Sequence, residues 1–155
     1  MRVFELVIPS EQGLTNFELV QHIRELRVPH FRGVFMRDEL PPQVKPLECG
    51  VVNFNTSEQV GSHWVCYYKD GMNQRIYFDS FGQVTLDEVQ KYLKTAKEYK
   101  MGKAVIQRNT DIVQRINTHV CGHLCLFVLT SLAREHLTFQ QVLNKLNDGY
   151  TRGDW

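Results

Sequence analysis

The stretch "CGHLCLFVLTSLA", residues 121–133, is apolar almost all the way round any helix drawn through it. A surface helix carries one apolar stripe and one polar face, whereas a segment apolar on every side must be enclosed by other elements. The pattern therefore predicts a central buried helix over 121–134, and the rest of the chain has to supply the layers that cover it. The run cannot span a bilayer, which takes about 18–20 apolar residues, and it continues into Arg134-Glu135. With 155 residues the chain is long enough to build one real core around such a helix, so 1–155 reads as a single domain.

The covering elements follow from local signals. Thr15 and Glu18 have capping-box spacing, and Val20, Ile23 and Leu26 form an apolar stripe, so a helix is expected near 16–26, ended by Pro29. Strands are expected at 33–36, 48–54 ("ECGVVNF"), 63–68 ("HWVCYY"), 75–80 ("RIYFDS") and 103–107 ("KAVIQ"). Pro41, Pro42 and Pro46 stiffen the loop after the first strand, and Lys69-Asp70-Gly71 marks a hairpin turn. Thr85 and Glu88 repeat the capping-box spacing ahead of "VQKYLKTAKEY", and Thr138 with Gln141 opens a last helix that closes near Gly149. Helix, strands, helix, strand and two helices make an α+β domain with a mainly antiparallel sheet packed against helices.

Charge and cysteine content narrow the function classes. The formal net charge is +1, so no global basic field demands nucleic acid. "MRVFELVIPS" is too short and too acidic for a secretory signal, which argues for an intracellular protein. Four scattered cysteines are too few for a secreted disulfide framework and read as reduced thiols. Their roles are then metal ligand, nucleophile or core.

His119, Cys121, His123 and Cys125 alternate at the mouth of the buried helix. On a helix turning about 100° per residue, the two histidines share one face and the two cysteines another, about 160–200° away, so the four cannot converge on one ion. A two-ligand site completed by Cys49 or Cys66 stays open. Cys49, Cys66 and Cys125 fit the core, where free cysteine behaves as a small hydrophobe. Cys121 differs, because it falls where the polar stretch ends and the helix begins. Unpaired backbone N–H groups and the helix dipole favour an anion there, hence a thiolate. Gly122 beside it removes side-chain bulk where a substrate backbone would approach.

A nucleophilic thiol needs a base, and the base needs a group to orient it. His63 begins an aromatic strand beside Trp64, and Asp79 ends the neighbouring strand. In a hairpin the start of one strand lies beside the end of the other, so the two become cross-strand neighbours, and the carboxylate can fix the imidazole tautomer. The structural alternative for Asp79 is a turn residue ahead of Ser80 and Gly82.

"SHW", the acidic residue in "FDSFG", then a glutamine seven positions before "CG" at a helix start fall in one order along the chain. With "HFRGVFMRDELP" and "CGVVNFN", this order resembles the adenain-like, adenovirus-type cysteine endopeptidases, of the clan shared with SUMO and ubiquitin-like deconjugases. The first half looks closest to proteases of Maverick/Polinton-type elements. The resemblance covers most of the chain and implies a papain-like, adenain-like fold. It implies Cys121 as nucleophile, His63 as general base and Asp79 as its orienting group, where much of the adenovirus group has Glu. Gln114 would serve as oxyanion donor together with the Cys121 backbone N–H. Trp64 and Gly122 would border the substrate channel. Neither metal nor cofactor is implied.

The same resemblance implies protein substrates, namely capsid or core precursors cut at small-residue, Gly-Gly-like sites during particle maturation in an infected cell, with the enzyme packaged in the virion. Adenain is activated by a peptide tethered through a disulfide upstream of the glutamine. The matching position here is near Lys103, and no cysteine lies between Cys66 and Cys121, so an activating peptide would act untethered. Auxiliary DNA contact is compatible with an unequal charge distribution. Two other readings remain: a deconjugase for ubiquitin-like tails, and a non-catalytic interaction module on the same fold.

Overall fold

The computed structural model describes residues 13–58, 63–71, 74–96 and 105–155. Its elements are α1 (Asn16–Glu25), β1 (Phe31–Met36), β2 (Glu48–Asn53), β3 (Trp64–Lys69), β4 (Arg75–Phe78), α2 (Asp87–Leu93), β5 (Ile106–Arg108), α3 (Cys121–Leu129) and α4 (Phe139–Arg152). The five strands form one sheet in chain order, β1-β2-β3-β4-β5.

The α+β class holds, and the sheet is mixed. β2–β3 and β3–β4 pair antiparallel, as two direct reversals of the chain, while β1–β2 and β4–β5 pair parallel at the two edges. Parallel neighbours need a long crossover connection. The proline-stiffened segment 37–47 supplies one, and the segment holding α2 supplies the other.

Alternation along the central strands builds a core on each face. Val51, Cys66 and Phe78 face α1, α3 and α4, where Leu19, Leu124, Leu129 and Leu146 pack. Val52, Val65, Tyr67 and Tyr77 face α2, against Val89 and Leu93. Leu124, Leu126 and Leu129 are fully buried, each worth roughly 1.5–3 kcal/mol relative to exposure. The helix apolar on every side is thus laid across the middle of the sheet, which fixes the position of its first residue. It runs on as a π turn, Thr130–Arg134.

Capping boxes form at Thr15/Glu18 and Thr138/Gln141. The expected third box at Thr85/Glu88 does not. Leu86 is the N-cap of α2, without a side-chain cap, because the Glu88 carboxylate takes two 2.8 Å hydrogen bonds from Arg37 across the fold. The last helix passes Gly149 and stops at Gly153, whose φ of 76° lies in the left-handed region that glycine adopts without strain.

Candidate active site

Cys121 opens α3, and its N-cap, Val120, gives the helix no side-chain cap. The first-turn N–H groups are therefore left to meet an anion. The Cys121 thiol sits at a cleft and is 5% exposed. Its Sγ accepts the backbone N–H of Trp64, the residue after His63, at 3.5 Å, and the Cys121 thiol is among the groups that act on the His63 ring.

His63 directly precedes β3, and its carbonyl accepts the Phe54 N–H at 2.7 Å, which ties it to the end of β2. Asp79 directly follows β4 and is fully buried. The His63 Nε2–H donates to Asp79 Oδ1 at 2.8 Å, so Nδ1 is the ring nitrogen left for the thiol. Asp79 Oδ1 also accepts the Phe81 N–H at 2.8 Å, which holds the carboxylate in place. Asn109 brackets the Asp79 backbone, accepting its N–H at 3.1 Å and donating to its carbonyl at 2.6 Å. The Phe81 ring stacks on the imidazole at 4.9 Å between centroids, and Phe54 lies at 6.0 Å. The turn that delivers Phe81 depends on Gly82, at φ 64°, where a Cβ would sit 2.4 Å from the Thr110 carbonyl oxygen.

Burial by itself would lower the imidazole pKa. The hydrogen bonds to Asp79 and then Cys121, with the charges of both, outweigh it and bring His63 up to about 9. A value raised in this way biases the ring toward its protonated form at neutral pH. Burial pushes the Cys49 and Cys125 thiols well above the ordinary range.

Gln114 is buried in the loop ahead of α3. The Ser80 hydroxyl donates to its Oε1 at 2.5 Å, and its Nε2 donates to the Thr118 carbonyl at 3.0 Å. These two partners fix which way the amide points and, among the described residues, leave one N–H uncommitted. Ser80 follows Asp79 and Thr118 lies three residues before Cys121, so both bonds join Gln114 to the segments that carry Asp79 and Cys121.

The cleft beside the thiol encloses about 710 Å³, lined among others by Leu14, Met36, Asn53, Trp64 and His119. Trp64 is a fixed wall, because its indole N–H donates to the Leu14 carbonyl at 2.9 Å. Asn53 is wholly buried; its Oδ1 accepts the Asn55 N–H at 2.9 Å, while its Nδ2 has no hydrogen-bond partner among the described residues.

His63, Asp79 and Cys121 thus meet in one site, and Gln114 is wired to it. Trp64 borders the cleft. Gly122 has a different setting from the expected one: it is buried, and a Cβ there would press on Trp64 Cδ1 at 3.3 Å and on Leu14 and Leu19 at 3.4 Å. Its missing side chain lets the helix seat under Trp64. His119 is exposed on the cleft rim and His123 is wholly buried. Among the described residues no three of His, Cys, Asp or Glu stand close enough to hold a metal ion. Position 103 lies outside the described residues.

Sequence reasoning missed Ser80, Asn109, Phe81 and Asn53. Ser80 and Phe81 were in view inside "FDSFG", and the acidic residue ahead of them was the signal that could have flagged them. Nothing local marks Asn109 or Asn53.

A family model described as adenovirus endoprotease matches residues 31–151. The crystal structure of the pS273R protease of ASFV, African swine fever virus, is similar with a TM-score of 0.56 at 15% identity, covering 92% of this chain and 67% of that one. The selenomethionine form of the same protease gives a TM-score of 0.56 at 17% identity, covering 92% and 68%. At such identities the likeness is one of fold. No curated protein sequence matches the chain.

Proposed function

Because the chain belongs to the adenovirus endoprotease family, and is therefore a viral cysteine endopeptidase, we propose that Cys121, His63, Asp79 and Gln114 are its catalytic apparatus. The observation that carries the assignment is the His63 ring, held by a buried carboxylate on one nitrogen and next in the chain to Trp64, whose N–H reaches the helix-opening thiol. Cys121 Sγ, as thiolate, attacks the scissile carbonyl carbon. The carbonyl π pair moves onto oxygen, where Gln114 Nε2–H and the Cys121 backbone N–H meet the charge. The intermediate collapses, the C–N bond breaks, and His63 Nδ1–H protonates the leaving amine. Water then attacks the thioester, His63 takes its proton, and the carboxylic acid leaves as Cys121 regains its starting form.

The substrates under this reading are capsid or core precursor proteins cut at small-residue sites inside an infected cell, with the enzyme carried into the particle. The fixed Trp64 wall supports a narrow channel suited to glycine-like residues at the cut. An activating peptide, if used, binds without a disulfide. Incubation with a Gly-Gly-containing peptide library and with ubiquitin-like fusions, followed by mapping of the cuts, tests the substrate class. Cleavage of the peptides at glycine pairs is the expected result. Processing confined to the fusions would assign a deconjugase instead.

The charge state of His63 gives a pH prediction. A pKa raised to about 9 keeps the ring protonated, and the ion pair intact, through neutral pH. The alkaline limb of the kcat/KM profile should therefore fall near pH 9, as the proton is lost. Asp79→Asn removes the charge that supports the imidazolium, so that limb should move to lower pH. An unshifted limb in folded Asp79→Asn would count against the His63–Asp79 pairing.

A further inference from the structure

Gln114 lies within residues 109–120, which contain no helix and no strand. No ladder of backbone bonds fixes this segment, so the placement of its glutamine depends on individual anchors. One set comes from the catalytic side: the Val113 N–H donates to the Ser80 carbonyl at 2.8 Å, and the Ser80 hydroxyl holds the Gln114 amide. A second set comes from the far end of the chain. The Trp155 indole N–H donates to the Val113 carbonyl at 2.6 Å. Arg115 donates to the Trp155 main-chain oxygen and to the Tyr150 carbonyl, each at 2.9 Å, and its guanidinium lies 4.4 Å from the centre of the Tyr150 ring. Both residues flanking Gln114 are thereby tied to the end of α4.

The tie is built into the helix. Gly153 turns the chain out of α4 in the left-handed conformation, and the indole then lies back across Gly149. A Cβ on Gly149 would stand 2.3 Å from the indole ring, so only glycine leaves room for Trp155 to reach Val113. This explains a glycine inside a helix, where it is otherwise unfavourable.

We propose that Trp155 and Arg115 are positioning residues, a C-terminal clamp that holds the Gln114 amide at the oxyanion site; the proposal rests on the assignment of Gln114 as oxyanion donor. The clamp touches neither the thiol nor the imidazole. Its loss should therefore reduce transition-state stabilisation while leaving Cys121 as reactive as before.

Steady-state kinetics on a cleaved Gly-Gly peptide test this, with the rate of Cys121 alkylation by iodoacetamide as the second readout and thermal unfolding as the check on folding. Trp155→Ala should lower kcat by about 10–100-fold with KM little changed, a part of the roughly 10²–10³-fold lost with the donor itself. Trp155→Phe keeps a ring on Gly149 but lacks the N–H, and should lose less. Gly149→Ala, which favours the helix but expels the indole, should reproduce the Trp155→Ala loss. The double variant Gln114→Ala/Trp155→Ala should be no slower than Gln114→Ala alone, because both changes remove one interaction. Alkylation should stay at the wild-type rate throughout. If Gln114→Ala is crippled while folded Trp155→Ala and Gly149→Ala turn over normally, or if the two losses multiply in the double variant, the clamp is overturned and the oxyanion assignment stands. If Gln114→Ala itself turns over normally, the oxyanion assignment falls and the clamp with it.

Discussion

Cys121→Ala should abolish peptide cleavage, with a loss of about 10⁶-fold in kcat, the scale seen when the nucleophile of a comparable acyl-transfer site is removed. The change should leave the fold intact. Sγ makes a 3.5 Å contact with the Trp64 N–H, and alanine fits the first turn of a helix. His63→Ala should be comparably damaging, and the double variant little worse than either single one, because residues acting as a unit do not add. Turnover within about tenfold of wild type in folded Cys121→Ala would remove the thiol from the mechanism.

Gln114→Ala carries the second largest expected effect. Loss of one oxyanion donor should lower kcat by about 10²–10³-fold, or ~2.7–4 kcal/mol, with KM nearly constant because that bond strengthens in the transition state. Gln114→Glu should be at least as harmful. A carboxylate there cannot donate to the oxyanion, and it would face the Thr118 carbonyl that now accepts from Nε2. Iodoacetamide should still alkylate Cys121 in both variants, since His63 and the helix start are untouched. Peptide turnover near wild type in Gln114→Ala, measured by a full kcat and KM determination, would leave Gln114 as loop structure.

Features set by nearby residues were legible in the sequence. The helix at 121 announced itself because no face of it could be left to water, and that alone placed Cys121 at a helix start. The boxes at Thr15 and Thr138 needed only partners three residues away. Long-range closure was not legible. Thr85 and Glu88 have the same spacing, yet Arg37, 51 residues before Glu88 in the chain, captures the carboxylate first. Strand pairing at the sheet edges depends on which way a crossover returns, which no strand encodes by itself. Gly149 looked like a helix stop because glycine stops helices; it is there to admit an indole from residue 155.

The site divides along the same line. His63, Asp79, Gln114 and Cys121 were read from their order, and the hairpin between β3 and β4 brings the first two together by simple antiparallel geometry. The bonds that hold them, from Ser80 to Gln114 and from Asn109 to Asp79, span 34 and 30 residues and leave no periodic trace.

The most direct test of the account is to trap the nucleophile with a peptide. A Gly-Gly peptide bearing a vinyl sulfone in place of the scissile carbonyl, incubated with the folded enzyme and mapped by mass spectrometry, should modify Cys121 alone. His63→Ala should suppress the adduct. Cys49, Cys66 and Cys125, all at most 1% exposed, should remain free. Modification of any of those three in preference to Cys121, or an adduct at Cys121 that forms equally fast without His63, would contradict the pairing on which the mechanism stands.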